Sequence, residues 1–317
     1  MVDPISVWSW NYGGDGEFVK MSKRYGKEIP ERDDGLFEMR DKIAKSAFEK
    51  LTFVEGIGDI SKPDIVCFQE IGDVERDNTE NRIKAWMGKE YELISDGIDA
   101  AIAFNKNRFK LLNSERASGG RNYAIANLED QTTKKTYLVA SSHISGFPLD
   151  DPTRGLADTG DQELRGLLDK LKTYPKNDGM ILGVDLNETP SIHNKRIEMI
   201  EKEGFNRDSS DDAFATNYNP FINTNIKIDY IFTKGFENTA LTSASHPPLE
   251  NPDENPSDHS IVVNKLQPPK TNRFTFKDIY CSRPLFTTTA LVTALLAIGL
   301  IYFNNQAPNE AGLFLNR

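Results

Sequence analysis

Polar side chains able to do phosphate chemistry stand at the ends of successive apolar runs. ISVWSW (5–10) ends in Asn11, and DIVCF (64–68) ends in Gln69 and Glu70. TYLVASS (136–142) ends in His143, and GMILGV (179–184) ends in Asp185 with Asn187 two residues on. KIDYIF (227–232) carries Asp229 inside it, and SIVV (260–263) is opened by Ser257, Asp258 and His259. Carboxylate and amide oxygens suit Mg²⁺, and imidazoles move protons near neutral pH. Together they have the chemistry of phosphoester hydrolysis assisted by a hard cation. One aspartate after a strand is most often a cap or a turn residue, so the argument rests on the recurrence and not on any single position.

Such residues need a rigid scaffold to bring them to one place. The runs above, with AAIAF (100–104) and YAIANL (123–128), are four to eight residues long and rich in β-branched or aromatic side chains, which predicts strands. Between them, Leu36, Met39, Ile43, Ala47 and Leu51 share one face of a helical pattern over 36–51, and 162–171 has a similar stripe. Many strands and a few longer helices predict a mixed α/β (α+β) layered domain. The segment FPLDDPTRGLADTGD (147–161) reads as a solvent loop. At 317 residues the chain can build a sizeable core, and a net charge of −10 excludes a general nucleic-acid coat protein while leaving room for a local basic groove. Two cysteines, Cys67 and Cys281, are too few and too far apart for a stapled extracellular fold, which favours a reducing compartment.

The N-terminus MVDPISVWSW has neither the basic nor the apolar region of a secretory signal. From Leu285 to Phe303 the chain carries no charge. As a helix this segment would reach about 28 Å, near the hydrocarbon thickness of a bilayer. A buried core helix would show a polar stripe, and here only scattered threonines interrupt the apolar surface. Lys265, Lys270, Arg273, Lys277 and Arg283 precede the segment, so the positive-inside rule keeps the large N-terminal part cytoplasmic. The expected organisation is a catalytic domain over 1–266, a basic juxtamembrane linker over 267–284, a single-pass C-terminal (tail) anchor as a transmembrane helix over 285–303, and a short tail over 304–317 across the membrane. Cys281, beside the span, is a solitary candidate for acylation.

In order, WNYGG, CFQE, SSHIS, GVDLNETP, IDYIF and PSDHS resemble the successive motifs of the endonuclease/exonuclease/phosphatase (DNase I-like) superfamily, over about residues 5–264. That resemblance implies a two-sheet β-sandwich flanked by helices and a Mg²⁺ cofactor, with Mn²⁺ as a substitute. It implies Glu70 as the main metal ligand, with Asn11 beside it or holding its waters, and Asp258 completing the site or positioning the adjacent imidazole. Asp185 would orient or deprotonate water, Asn187 would bind a phosphate oxygen, and His259, held in its useful tautomer by Asp229, would act on the nucleophile or bind the phosphoryl oxygens. His143 matches the histidine that the DNase I branch uses as a second acid/base group, paired there with a carboxylate for which Asp99 stands near the right strand. Arg121 and Gln69 would support the site. The sequence departs from the motif at Val184, where relatives usually have glycine, and a β-carbon there would be expected to shift Asp185.

His143, the SDH ending and IDYIF favour a nuclease, so nucleic acid is the expected substrate. The apolar segment favours instead a lipid headgroup, as in a sphingomyelinase-like or phosphoinositide-directed enzyme. HPPLENPDENPSDHS lacks the PAWCDR-like stretch of the inositol 5-phosphatase branch. A non-catalytic, membrane-tethered binding module would have lost ligands, yet Glu70, Asp185, Asn187, Asp258 and His259 are all present.

Overall fold

The computed structural model describes residues 3–13, 18–19, 22–23, 26, 34–54, 58–60, 62–71, 79–95, 99–117, 123–146, 156–190, 194–207, 215–219, 224–237, 244–246 and 256–269. Arg121 and the segments 270–284, 285–303 and 304–317 lie outside them. Among the described residues no helix is long and apolar enough to cross a membrane.

Alternation along the strands sorts side chains into layers, because successive residues of a strand face opposite ways. In β1 (Ile5–Asn11), Trp8 and Trp10 join one apolar cluster and Ile5 and Val7 another. After the short pair β2 (Phe53–Val54) and β3 (Gly58–Asp59) come β4 (Ile65–Gln69), β5 (Tyr91–Ser95) and β6 (Ala100–Asn105). These join β1, β14 (Ala244–His246) and β15 (Ile261–Leu266) in a six-stranded sheet of order β14-β15-β1-β4-β6-β5. The second sheet has order β13-β10-β9-β8-β7, from β7 (Phe109–Arg116), β8 (Tyr123–Asp130), β9 (Thr136–His143), β10 (Gly179–Asp185) and β13 (Asp229–Lys234). β11 (Asn217–Asn219) and β12 (Thr224–Ile226) form a separate hairpin-like pair.

Trp8, Trp10 and Phe68 on the outer face of the first sheet pack with Ala44, Phe48, Ile83 and Trp86 from helices α1 (Asp34–Lys50) and α2 (Thr79–Met87). Leu138, Ala140, Leu182 and Val184 do the same for the second sheet, against Leu164, Leu167, Ile197 and Ile200 of α3 (Leu156–Lys172) and α4 (Lys195–Lys202). Between the sheets lie Val7, Ile65, Cys67 and Ile102 from one and Ala126, Val139 and Ile181 from the other. The four described helices thus flank an α/β two-sheet sandwich, as expected. Residues 156–161 differ from the expected loop, because α3 already begins at Leu156 and Asp161 is buried in it, while 147–155 lie outside the described residues. Gln267 also belongs to the compact unit Met1–Pro269, since its carbonyl accepts from Glu237 N.

Gly183 marks a point where the sheets come very close. A β-carbon there would lie 2.8 Å from Cys67 Sγ and 3.0 Å from Ser9 Oγ. Val184, one residue on, faces the helix layer and is fully buried there, so its β-carbon does not crowd the end of the strand. The expected displacement of Asp185 therefore has no cause in the structure. Gly183→Ala is expected to cost about 1–3 kcal/mol by overpacking, read as a lower urea midpoint; an unchanged midpoint would show that the sheets can part there freely.

Candidate active site

Strand register carries the functional residues to one end of the sandwich. β9 and β10 run parallel with His143 opposite Asp185, and β10 and β13 run antiparallel with Asp185 opposite Asp229. His143, Asp185 and Asp229 therefore form a row across the second sheet. In the first sheet the parallel β1–β4 register sets Asn11 beside Gln69, and the β4–β6 register sets Gln69 beside Ala100. That places Glu70 next to Asp99, whose Oδ1 accepts from Glu70 N at 3.2 Å.

Hydrogen bonds join the rows. Asn11 Nδ2 donates to Glu70 Oε1 at 2.9 Å and to Asp185 Oδ2 at 2.8 Å, so one amide bridges the two sheets. Its Oδ1 accepts from Gly13 N, and its backbone carbonyl accepts from Ser257 Oγ, which in turn accepts from His259 N. Asp229 Oδ2 lies 2.9 Å from His259 Nδ1, and Asp99 Oδ1 lies 3.2 Å from His143 Nδ1. A carboxylate acceptor requires N–H at Nδ1, which leaves Nε2 of each ring as the working nitrogen. The two rings flank one carboxylate: His143 Nε2 is 3.9 Å and His259 Nδ1 4.0 Å from Asp185 Oδ2.

Two of these residues hold backbone conformations that cost energy. Glu70 has φ +51° and Asn187 has φ +48°, both in the left-handed region. Asn187 is compensated by its N–H donating to Asp185 Oδ1 at 2.8 Å, a local turn that asparagine tolerates. Its Nδ2 donates to Ile144 O at 2.9 Å and lies 3.0 Å from His143 Nε2.

The electrostatics follow from burial among acids. Burial pushes Asp185 up, Asp229 adds to the push, and the two imidazoles oppose it, leaving the carboxyl near about 6. Burial pushes His143 down, but Asp99, Asp185 and Glu70 outweigh it and lift the ring to about 10. His259 is likewise lifted well above the ordinary range against burial, by Asp229, Asp258 and Asp185. A proton on His143 Nε2 conflicts with the Asn187 amide facing it. Protonation therefore requires that amide to turn its oxygen to the ring and release Ile144, so the two residues change state together.

Glu70, His143 and Asp185 present ligand atoms within 4.8 Å of one another, and so do Asp185, Asp229 and His259. Asp229 Oδ1 is buried without a hydrogen-bond partner. Converging carboxylates with an orphaned oxygen suit a divalent, oxygen-seeking cation such as Mg²⁺. Asp258 stands outside both groups, with Oδ1 4.0 Å from His259 Nε2. Gln69 lies fully buried between the sheets, donating to Ser141 Oγ and Gly183 O. Its amide ties the two sheets together.

Other contributors left no signal in the sequence. Thr216 Oγ1 accepts from Ile228 N and Asp229 N, holding the start of β13. Arg40, buried in α1, donates to the Tyr12, Gly13 and Pro256 carbonyls, so it pins the end of β1 to the loop before His259.

No family model matches the chain, and no curated protein matches it. Solved structures do. An endonuclease/exonuclease/phosphatase from Bacteroides vulgatus aligns with 84% of this chain and 100% of its own, at 16% identity and a TM-score of 0.60. The human Nocturnin catalytic domain, solved with a sulfate anion, aligns over 84% and 96% at 18% identity and a TM-score of 0.56. TDP2 of D. rerio, solved with a single-strand DNA product, aligns over 83% and 99% at 16% identity and a TM-score of 0.54. From end to end of those solved chains, this protein has the endonuclease/exonuclease/phosphatase fold.

Proposed function

We propose that the protein is a membrane-anchored, Mg²⁺-dependent phosphoester hydrolase of the DNase I-like nuclease and phosphodiesterase type. The observation that carries the reading is the pair of imidazoles, each fixed by its own carboxylate, set on either side of Asp185. Hydrolysis of a phosphodiester needs an aligned water, neutralised phosphoryl charge and help for the leaving oxygen. Glu70, with Asn11 beside it, would hold the Mg²⁺, which supplies charge neutralisation at the phosphoryl oxygens when bound. Asp185, ionised above about pH 6, accepts a proton from water and fixes its direction. The Asn187 amide and a cationic His259 face the phosphoryl oxygens, and Asp229 keeps His259 Nδ1 occupied so that Nε2 points to substrate. His143, kept protonated by Asp99, delivers a proton to the leaving oxygen.

The apolar segment 285–303 would anchor this domain at the cytoplasmic side of a membrane. It also supports a second reading, hydrolysis of lipid headgroups at that surface. The fold leaves the choice of substrate open, since one scaffold serves several phosphoesters. The test is nicking of supercoiled plasmid by a chain ending at Pro269, where the compact unit ends. Nicking that needs both Mg²⁺ and Glu70, judged against Glu70→Ala, is the expected result. A folded, Mg²⁺-binding chain that leaves plasmid intact yet cleaves phospholipid headgroups in vesicles would transfer the function to the second reading.

A further inference from the structure

Arg196, the second residue of α4, is fully buried and takes no part in the chemistry above. Its guanidinium is used on several sides. Nη1 donates to Leu186 O at 2.6 Å and Gly146 O at 3.0 Å, and Nη2 donates to Ser145 O at 3.0 Å. Nε donates to Asp161 Oδ1 at 3.1 Å. Leu186 lies between Asp185 and Asn187, while Ser145 and Gly146 are the second and third residues after His143. One planar cation thus bonds both chains as they leave the neighbouring strands β9 and β10.

The surrounding structure is built around this contact. Ser145 N donates to Glu163 Oε2 of α3 at 2.9 Å, so the segment is held from both sides. A β-carbon at Gly160 would collide with Ser145 O and with the guanidinium, so α3 can lie this close only with glycine there. The Arg196 backbone N–H donates to Glu188 Oε1 at 2.7 Å, which fixes the start of α4 to the chain just beyond Asn187. Asp161, ion-paired to both Lys195 and Arg196, holds the guanidinium from the far side.

We infer that Arg196 is a positioning residue for the reaction: its clamp on the Ser145, Gly146 and Leu186 carbonyls sets the spacing between His143 and Asn187. Those two side chains touch at 3.0 Å, so a small shift of either segment changes their contact directly. Lysine cannot replace the fork, because one ammonium does not reach three separated carbonyls in the plane that a guanidinium spans. A misplacement of about 1 Å in such a site is worth up to about 100-fold in rate.

The inference rests on the hydrolase reading only for its kinetic arm. Arg196→Lys and Arg196→Met, made in the full chain, are expected to lower kcat by about 10- to 100-fold with KM little changed. Arg196→Lys keeps the charge beside Asp161 and guards against misfolding of the methionine variant, with the urea midpoint as the check. In a His143→Ala background the same substitutions are expected to cost less than about twofold, since neighbours acting as one unit are non-additive. A purely structural role would cost the same factor in both backgrounds and would overturn the inference. The second arm needs no activity: with four histidines in the chain, the ring ¹⁵N signals of His143 should move in Arg196→Lys while those of His259 stay. Unmoved His143 signals in a folded variant would overturn it as well. A wild-type chain with no hydrolysis but a displaced His143 ring in the variant would remove the proposed function and leave the positioning role standing.

Discussion

Glu70→Gln is expected to lower Mg²⁺-dependent hydrolysis by about a thousandfold, equivalent to about 4 kcal/mol of transition-state stabilisation. The substitution is chosen because it leaves the surroundings intact. The amide oxygen can still accept from Asn11 Nδ2, the left-handed backbone at position 70 is no worse for glutamine than for glutamate, and the side chain is partly exposed. What changes is the charge offered to the cation. A thermal scan separates that loss from misfolding. A ligand at about 100 times its Kd stabilises the native state by about 2.7 kcal/mol, which for a domain of this size is a melting shift of about 5 °C or more. Mg²⁺ should give that shift in the parent and not in Glu70→Gln, while the metal-free melting points agree. A variant that keeps both the shift and the rate would place the metal elsewhere, with the Asp185, Asp229 and His259 group as the remaining candidate.

Asp229→Asn should cost about 10²–10⁴-fold in kcat with little change in KM, the range expected when a carboxylate that fixes a catalytic histidine's tautomer is lost. Asp229 is fully buried and reaches His259 Nδ1 at 2.9 Å, and an asparagine can turn either its donor or its acceptor to the ring. The same substitution has a signature in stability. His259 is lifted in the folded state, so its ionisation stabilises the protein fully below the unfolded imidazole value near about 6.5 and ceases to do so as pH rises through the folded value. Asp185 acts in the same sense. Its carboxyl is raised to about 6 by burial and then by Asp229, so its ionisation destabilises the metal-free protein as pH climbs from about 4 to about 6. Asparagine removes the share of both effects that Asp229 supplies, leaving the effect of burial on Asp185 and of Asp258 and Asp185 on His259. The urea midpoint of the metal-free parent should exceed that of Asp229→Asn most on the acid side of neutrality, and the gap should close toward alkaline pH. A gap that widens with pH would mean that Asp229 does not govern His259.

The buried strands were legible in the sequence because each is a continuous apolar run. β5 and β7 were not, and both are outermost strands of their sheets. β7 reads FKLLNSER and shows solvent most of its side chains, so it has no run to find, whereas β5 is mostly buried but reads YELIS, too short and too interrupted by polar residues to stand out. α2 and α4 escaped for a related reason, since nine and eight residues give too few turns for a stripe to stand out. Site residues announced themselves by type and by place at strand ends. The pairings of Asp229 with His259 and of Asp99 with His143 came only through the resemblance, and that of Asn11 with Asp185 left no signal, because it joins different sheets and depends on how they dock. Arg196 shows the limit most plainly: in HNKRIEM it looks like any basic residue on a solvated helix, and only its burial reveals the clamp.

β1 lies between β4 and β15, so the first strand among the described residues has one of its two neighbours in the last of them. During synthesis β1 leaves the ribosome with one edge that nothing yet made can cover, an invitation to aberrant pairing that a chaperone would have to shield. Asp258 and His259 arrive only just ahead of β15, after nearly the whole of the compact unit has been translated. A nascent chain therefore lacks the Asp229–His259 pair until just before β15 closes the sheet, and a stop before Ser257 leaves β1 with an open edge.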